Sequence, residues 1–471
     1  MLSDSRECGP CVQQKSARFT PRDDLAGCSP LEVLSRWPMD VPVSMLHSPP
    51  AAVSGGRWSI LARPQGIAEV EAETGEWTGV CHPAAEAATR GAVAMLEYLD
   101  QEIDAQPESE WLPPFCGWIG CLHYELGAVL EPAVGQVPEG IIGCFQWCPD
   151  ALLHDSQTDK WFACGQPPTL MSGHTCSEPL KKSGPLTSTP HADDWPEVIA
   201  TAVESIRNGD IFQVNLCRRI SLPVEGDPRS FAIRALSEPQ TAFGALLEIQ
   251  GGKPRTVVSM SPELFFEVNQ EGHIRTRPIK GTLPAAQPPE VLHASAKDAA
   301  ELHMIVDLMR NDLGRVCEVG SVHVPCPRRI ETHPTVHHGV GEVCGNLKPG
   351  VHRTDILKAL FPAGSITGAP KIKAMQIAAS LEPCARGAYC GAITLFGPGR
   401  SMVASVAIRT AVFENNSLVY GVGCGIVADS DPLAELAESE AKAAVLHKAL
   451  DTVNQPGATS FDVAEVLQSP A

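Results

Sequence analysis

The chain has 471 residues, 44% of them hydrophobic and 19% charged, which excludes a mostly disordered polypeptide and calls for several units or one large core. Acidic residues outnumber basic ones by 55 to 36, a net charge of −19, so a nucleic-acid or anionic-membrane partner would need a local basic patch, and none is evident. No apolar run reaches the about 18 residues of a membrane span and Met1–Pro10 carries no basic-then-apolar signal, so a cytoplasmic protein with reduced cysteines is expected.

Residues 1–30 read as a disordered tail. They contain Cys8-Gly9-Pro10-Cys11, the spacing of a thioredoxin-like redox site, but without the strand and helix that such a site needs. A first region, 31–175, holds strand patterns at 58–62 and 140–145 and a helical pattern at 84–103. Residues 176–195 are rich in Pro, Ser, Thr and Lys and read as a linker or exposed excursion. A second region spans 196–452, and 453–471 form another tail.

Within the second region, residues 197–207 predict a helix that stops at Asn208-Gly209, followed by a strand at 211–216. Strands at 257–260 and 264–268 flank a Ser261-Pro262-Glu263 corner. After Ser295, Leu302, Ile305, Val306, Met309 and Leu313 recur at helical spacing, and Gly314 is the expected stop. Strands at 388–396 and 402–413, a turn at Asn415-Asn416, a returning strand at 418–423 and a helix at 432–450 complete the pattern.

Four groups of residues could carry chemistry. Asp298 and Glu301 share one helix face, and Glu435, Glu438 and Lys442 share another. Two acidic pairs suit a hard divalent cation, though the spacing alone favours solvated faces with Glu435 or Glu438 paired to Lys442. Lys280 stands between Ile279 and a Gly-Thr turn, where burial would favour the neutral, nucleophilic amine, though the residues alone favour an exposed loop lysine. On the 402–411 strand, Arg409 follows Val403, Ser405 and Ala407 on one face, with room for a carboxylate to dock, although an edge arginine fits equally. Gly421-Val422-Gly423-Cys424-Gly425 could offer backbone amides to an anion or simply turn tightly. The run Gly364-Ser365-Ile366-Thr367-Gly368-Ala369-Pro370-Lys371 fails as a phosphate-binding loop, because Ala369-Pro370 stand where Gly-Lys should.

Together these pieces resemble the chorismate-utilising enzymes. The matching stretches are Gly209-Asp210-Ile211-Phe212-Gln213-Val214-Asn215, Ser261-Pro262-Glu263, Pro278-Ile279-Lys280-Gly281-Thr282 and Asp307-Leu308-Met309-Arg310-Asn311-Asp312-Leu313-Gly314-Arg315. To them are added 361–371, Gly423-Cys424-Gly425-Ile426 and the acidic last helix, in the family's order across about 195–450, with a weaker echo near 117–127. The resemblance implies an α+β fold in which two antiparallel sheets form a sandwich around the active site, with helices outside. It implies Mg²⁺ held directly by Glu301 and Glu438, with Asp298 and Glu435 behind, the metal in turn binding the ring carboxylate of chorismate. Arg409 and Tyr389 match groups that hold the pyruvyl carboxylate, and the amides of Gly423, Cys424 and Gly425 with Lys442 complete the anion site. Thr282 and His338 match residues near the ring and its departing hydroxyl, and Glu263 matches the general acid on that hydroxyl. Asp298 is shorter than the family's usual Glu, and Cys424 replaces a smaller Ala or Ser.

Two positions separate the family's reactions. Members that add water to the ring carry a basic lysine at the place of Gln213. Anthranilate-forming members carry a small alanine at the place of Lys280. In the aminodeoxychorismate-forming branch, the matching lysine attacks ring C2 as the C4 hydroxyl leaves, and ammonia then adds at C4. Gln213 with Lys280 therefore implies synthesis of 4-amino-4-deoxychorismate, which feeds p-aminobenzoate and folate. Anthranilate synthesis is the alternative, and a non-catalytic chorismate-binding subunit the remote one. No glutamine-hydrolysing unit is apparent, so ammonia is expected from a separate glutamine amidotransferase subunit.

Overall fold

Two antiparallel sheets face each other, and strands from both halves of the chain run through each. The computed structural model describes residues 19–49, 56–72, 77–78, 91–104, 115, 117–135, 140–174, 178–238 and 241–451. In the first sheet the order is Thr20–Pro21, Lys160–Cys164, Asp150–Asp155, Trp58–Arg63, Ser44–His47, Phe243–Ile249, Arg255–Ser261, Thr410–Glu414, Ser417–Ile426, Gln213–Glu225 and Lys181–Lys182. In the second it is Ile279–Pro284, Val336–Asn346, His273–Thr276, Leu264–Val268, Met402–Val406, Ala392–Phe396, Trp118–Leu122, Ile141–Trp147, Gly66–Glu71 and Trp77–Thr78.

The α+β sandwich expected from the resemblance is present. Between the sheets, Ile60, Ala62, Leu153, Leu247 and Val257 of the first pack on Ile119, Cys144, Ile393 and Leu395 of the second. Outside, Leu302, Ile305 and Met309 of the helix Ala296–Val316 cover Phe265 and Phe266. On the other side, Ala443 and Leu446 of the helix Pro432–Asp451 cover Ile220, Leu222 and Tyr420. Each helix buries one apolar stripe and turns its polar face elsewhere. No helix among the described residues is long and apolar enough to cross a membrane.

Several expectations are corrected. The tail ends before residue 30: Thr20–Pro21 pairs with Lys160–Cys164, Leu25 is buried, and Ser29 and Glu32 form a reciprocal cap on the helix Pro30–Ser35. The linker is tethered, since Lys181–Lys182 and Thr187–Thr189 both pair with Gln213–Glu225. The regions 31–175 and 196–452 share both sheets: Ser44–His47 pairs directly with Phe243–Ile249, and Ala392–Phe396 with Trp118–Leu122. The helix Ala296–Val316 runs past Gly314, since Leu313 and Val316 still have a core to enter. The strand expected at 402–413 is two strands in different sheets, Met402–Val406 and Thr410–Glu414. Cys8, Cys11, residues 84–90 of the expected helix, and 453–471 lie outside the described residues.

Candidate active site

The chain changes sheets at two neighbouring corners. Ser261-Pro262-Glu263 carries it from Arg255–Ser261 in the first sheet to Leu264–Val268 in the second, and residues 407–409 carry it back from Met402–Val406 to Thr410–Glu414. Arg409 makes its turn with a left-handed backbone, φ +51°. The corners are tied together: the Val406 amide donates to the Glu263 carbonyl at 3.1 Å, and the Met260 amide donates to the Arg409 carbonyl at 3.0 Å. Glu263 is 4% exposed, and burial pushes its carboxyl up to about 7. The Ser365 hydroxyl, the charge of Lys280 and the Ile279 amide oppose that shift.

Lys280 lies on Ile279–Pro284, whose pairing with Val336–Asn346 is interrupted between Ile279 and Thr282, where Gly281 takes φ +84°. Such a bulge re-aims side chains. The amine reaches the opposite sheet, where Gly421, Gly423 and Gly425 line one face of Ser417–Ile426. A methyl group on Gly425 would meet Lys280 Nζ at 3.3 Å and Asn215 Oδ1 at 3.1 Å, and would collide with Gln213 Nε2. One on Gly421 would collide with the Tyr389 ring. The absent side chains are what let the cleft groups approach this strand. Burial lowers the pKa of the Lys280 amine, an effect opposed by Glu301, Glu263 and Glu438 and reinforced by Lys442.

Carboxylates enter from two helices. Ser295 caps Ala296–Val316 by accepting the Asp298 amide at 3.3 Å, and Glu301 follows one turn later. Burial raises the pKa of Glu301, Lys280 and Lys297 oppose the rise, and Asp298 and Glu438 add to it. On Pro432–Asp451, Glu438 bonds Lys442 at 2.7 Å, the pairing that spacing favoured, and the same Nζ donates to the Gly423 carbonyl at 2.9 Å. Potential ligand atoms of Cys424, Glu435 and Glu438 lie within 4.8 Å of one another. Cys424 turns its thiol away from the glycine face to donate to the Glu435 carbonyl at 3.2 Å, and burial pushes that thiol up to about 12. Ser430 donates to Glu435 Oε1 at 2.7 Å, which orients the carboxylate.

The wall beside Lys280 is a cross-strand pair, with Thr282 Oγ1 and His338 Nδ1 3.1 Å apart. Burial, then Arg409 and His333, push His338 down to about 3, so its ring is neutral. Its Nε2 is buried without a partner.

Lys280, Glu263, Gln213, Gly425, Glu301, Glu438 and Lys442 are thus brought to one cleft, with Thr282, His338 and Arg409 alongside. Tyr389 sits farther along the glycine face, and Glu435 and the Cys424 side chain lie behind it. Sequence reasoning assigned no role to Asn215 or Ser365. Asn215 shares a strand face with Gln213, an alternation that was open to reading; nothing local marked Ser365.

The chain belongs to the chorismate binding enzyme family, whose model matches residues 54–448. It is similar to aminodeoxychorismate synthase component 1 of Klebsiella aerogenes, with 38% identity over 71% of this chain and 77% of that protein. The protein of the same description from Salmonella typhimurium is 35% identical over 73% of this chain and 80% of its own length. Among solved structures, anthranilate synthase component I from Streptococcus pneumoniae superposes with a TM-score of 0.68 at 27% identity, covering 91% of this chain and 99% of that one.

Proposed function

We propose that this chain makes 4-amino-4-deoxychorismate from chorismate and ammonia, with Lys280 as the nucleophile. The observation that carries the reading is the Lys280 amine: it crosses to the opposite sheet at Gly425, and burial favours its neutral form. The amine forms a bond to ring C2, the ring double bonds shift, and the C4–oxygen bond breaks. Glu263, protonated near neutrality, gives its proton to the departing hydroxyl, which leaves as water. Ammonia then bonds to C4, the C2–lysine bond breaks, and the surplus proton returns to Glu263. One ammonia enters and one water leaves.

Arg409 and Tyr389 would hold the pyruvyl carboxylate, with the amides of Gly423, Cys424 and Gly425 and with Lys442 nearby. Thr282 and neutral His338 would face the ring and its hydroxyl. Glu301 and Glu438, with Asp298 and Glu435 behind, fit Mg²⁺: Asp298 and Glu438 raise the proton affinity of Glu301, as gathered carboxylates do, and the Cys424 thiol stays protonated, leaving an all-oxygen donor set. When bound, the ion neutralises the ring carboxylate.

The similarity to aminodeoxychorismate synthases supports this product over anthranilate, as does Lys280, which fills the space that free ammonia would need at C2. The partner is a separate glutamine-hydrolysing subunit that supplies ammonia. Mass spectrometry of products from chorismate, Mg²⁺ and ammonium tests the reading. Aminodeoxychorismate is expected from the wild type and little or none from Lys280→Ala. Fluorescent anthranilate as the wild-type product would overturn it, and efficient use of glutamine by the purified chain alone would overturn the partner assignment.

A further inference from the structure

The strand Gln213–Glu225 carries two side-chain carbonyl oxygens that are not satisfied, and one of them, Asn215 Oδ1, stands in the region of the Lys280 amine. Gln213 Oε1 and Asn215 Oδ1 are both buried without a hydrogen-bond partner. Buried acceptors are nearly always paired, because leaving one unpaired is costly, so these two call for an explanation. Asn215 Oδ1 and Lys280 Nζ lie 3.1 and 3.3 Å from the same point above Gly425. The Asn215 backbone is pinned on both sides: its amide donates to the Thr367 carbonyl at 2.8 Å, and its carbonyl accepts from Arg386 Nη2 at 2.8 Å. Those bonds hold the side chain's starting point in place and do not depend on the side chain itself.

A neutral amine has two N–H donors and one lone pair. Acceptors that take the hydrogens decide where the lone pair points. The charged groups that face Lys280 are Glu263 from the corner, Glu301 from one helix, and Glu438 and Lys442 from the other. Each of these acts on the amine's charge, and none is placed on the strand that carries the two unpaired carbonyls.

We propose that Asn215 is a positioning residue for Lys280: its Oδ1 accepts one amine hydrogen, and the lone pair is thereby turned toward the ring. The inference rests on the reading of Lys280 as nucleophile. It gives Asn215 a part in the covalent step without any contact with the reacting carbon.

The test compares Asn215→Ala, Asn215→Leu and Asn215→Asp with the wild type and Lys280→Ala, using chorismate, Mg²⁺ and ammonium. Ala and Leu remove the acceptor and leave the backbone bonds; Leu keeps the shape and serves where Ala does not fold. A misaimed nucleophile should lower kcat by about 100-fold with the KM for chorismate changed less than about threefold. Asp puts an oxygen back in the same place but adds a charge that favours the ammonium, so its kcat relative to the wild type should climb as pH rises, whereas Ala and Leu stay slow at every pH. Wild-type kcat in the Ala or Leu variant, a loss confined to KM, or an Asp variant no faster than Ala at any pH would each overturn the inference. Lys280→Ala separates the two levels: full activity there refutes the nucleophile, whereas an inactive Lys280→Ala beside a fully active Asn215→Ala refutes only the positioning role.

Discussion

The Arg409 carbonyl accepts the Met260 amide at 3.0 Å, so the arginine is locked to the strand that runs into the Glu263 corner. Arg409 holds this place with φ +51°, a conformation that costs a non-glycine residue roughly 1–2 kcal/mol. Glycine adopts it freely. Arg409→Gly should therefore keep its midpoint of thermal unfolding within a few degrees of the wild type, because relief of the backbone offsets lost side-chain contacts. Turnover of chorismate should fall about 100-fold, the loss expected for a charged hydrogen-bonding partner. A variant that unfolds far below the wild type would show that the side chain is there for the fold.

Glu263 links activity and stability to pH in the same sense. Its carboxyl, ordinarily at 4.5, is pushed up to about 7 by burial. In the general-acid role proposed for it the carboxyl must be protonated, so kcat should decline as pH rises past about 7. For stability, the raised folded value means that its contribution is complete below pH 4.5 and is lost as pH climbs through 7. The loss amounts to about 3 kcal/mol by pH 8. Glu263→Gln does not titrate, so its stability relative to the wild type should improve by about that much between pH 4.5 and pH 8 in denaturant titrations. A constant difference across that range would mean that Glu263 is already ionised at pH 5.

How far the fold was readable depended on whether a local pattern had a single meaning. The helix Ala296–Val316 was plain from Leu302, Ile305, Val306 and Met309, because only one face of it meets the core. The change of sheet at 407–409 was not. Val403, Ser405, Ala407 and Arg409 alternate as one strand would, and no residue type announces a left-handed arginine. Thr20–Pro21 and Leu25 are ordered by partners more than 130 residues away, which a polar leading segment does not disclose. At the site, family likeness pointed to Lys280, Glu263 and the paired carboxylates, which the fold brings to one cleft. Asn215 escaped because a polar residue on a strand usually marks a solvent face, and here both faces of the strand are covered.

Gly425 tests the crossing of Lys280 directly. A Cβ there would collide with Gln213 Nε2 and crowd Asn215 and Lys280. Gly425→Ala should cost about 1–3 kcal/mol of stability through overpacking and should lower kcat by at least about 100-fold, since the amine must shift. Gly423→Ala would strike the Leu216 backbone carbonyl, which cannot move aside, so its expected effect falls on folding more than on rate. Comparing kcat and unfolding midpoints of the two variants separates a crowded amine from a damaged sheet. Full activity in Gly425→Ala would mean that Lys280 works from elsewhere.

Lys371 ends the glycine-rich run that imitates a phosphate loop, and its ammonium is already committed. Nζ lies 2.6 Å from Asp312 Oδ2 and 2.7 Å from the Leu360 carbonyl, and the Asp312 side chain is only 5% exposed. Burial raises the pKa of Asp312 and lowers that of Lys371, and each charge opposes the other's shift. The pair joins the helix Lys371–Leu381 to Ala296–Val316, the helix that carries Glu301. Removing one partner strands the other: Lys371→Met should cost about 3–5 kcal/mol in denaturant unfolding, whereas Lys371→Met with Asp312→Leu should recover most of it. Because the joint steadies the Glu301 helix, the single variant should also need more Mg²⁺ for half-maximal activity, and the double variant less of an increase. A single variant as stable as the wild type would show that Asp312 finds water or another donor, and that this ion pair does not hold the two helices together.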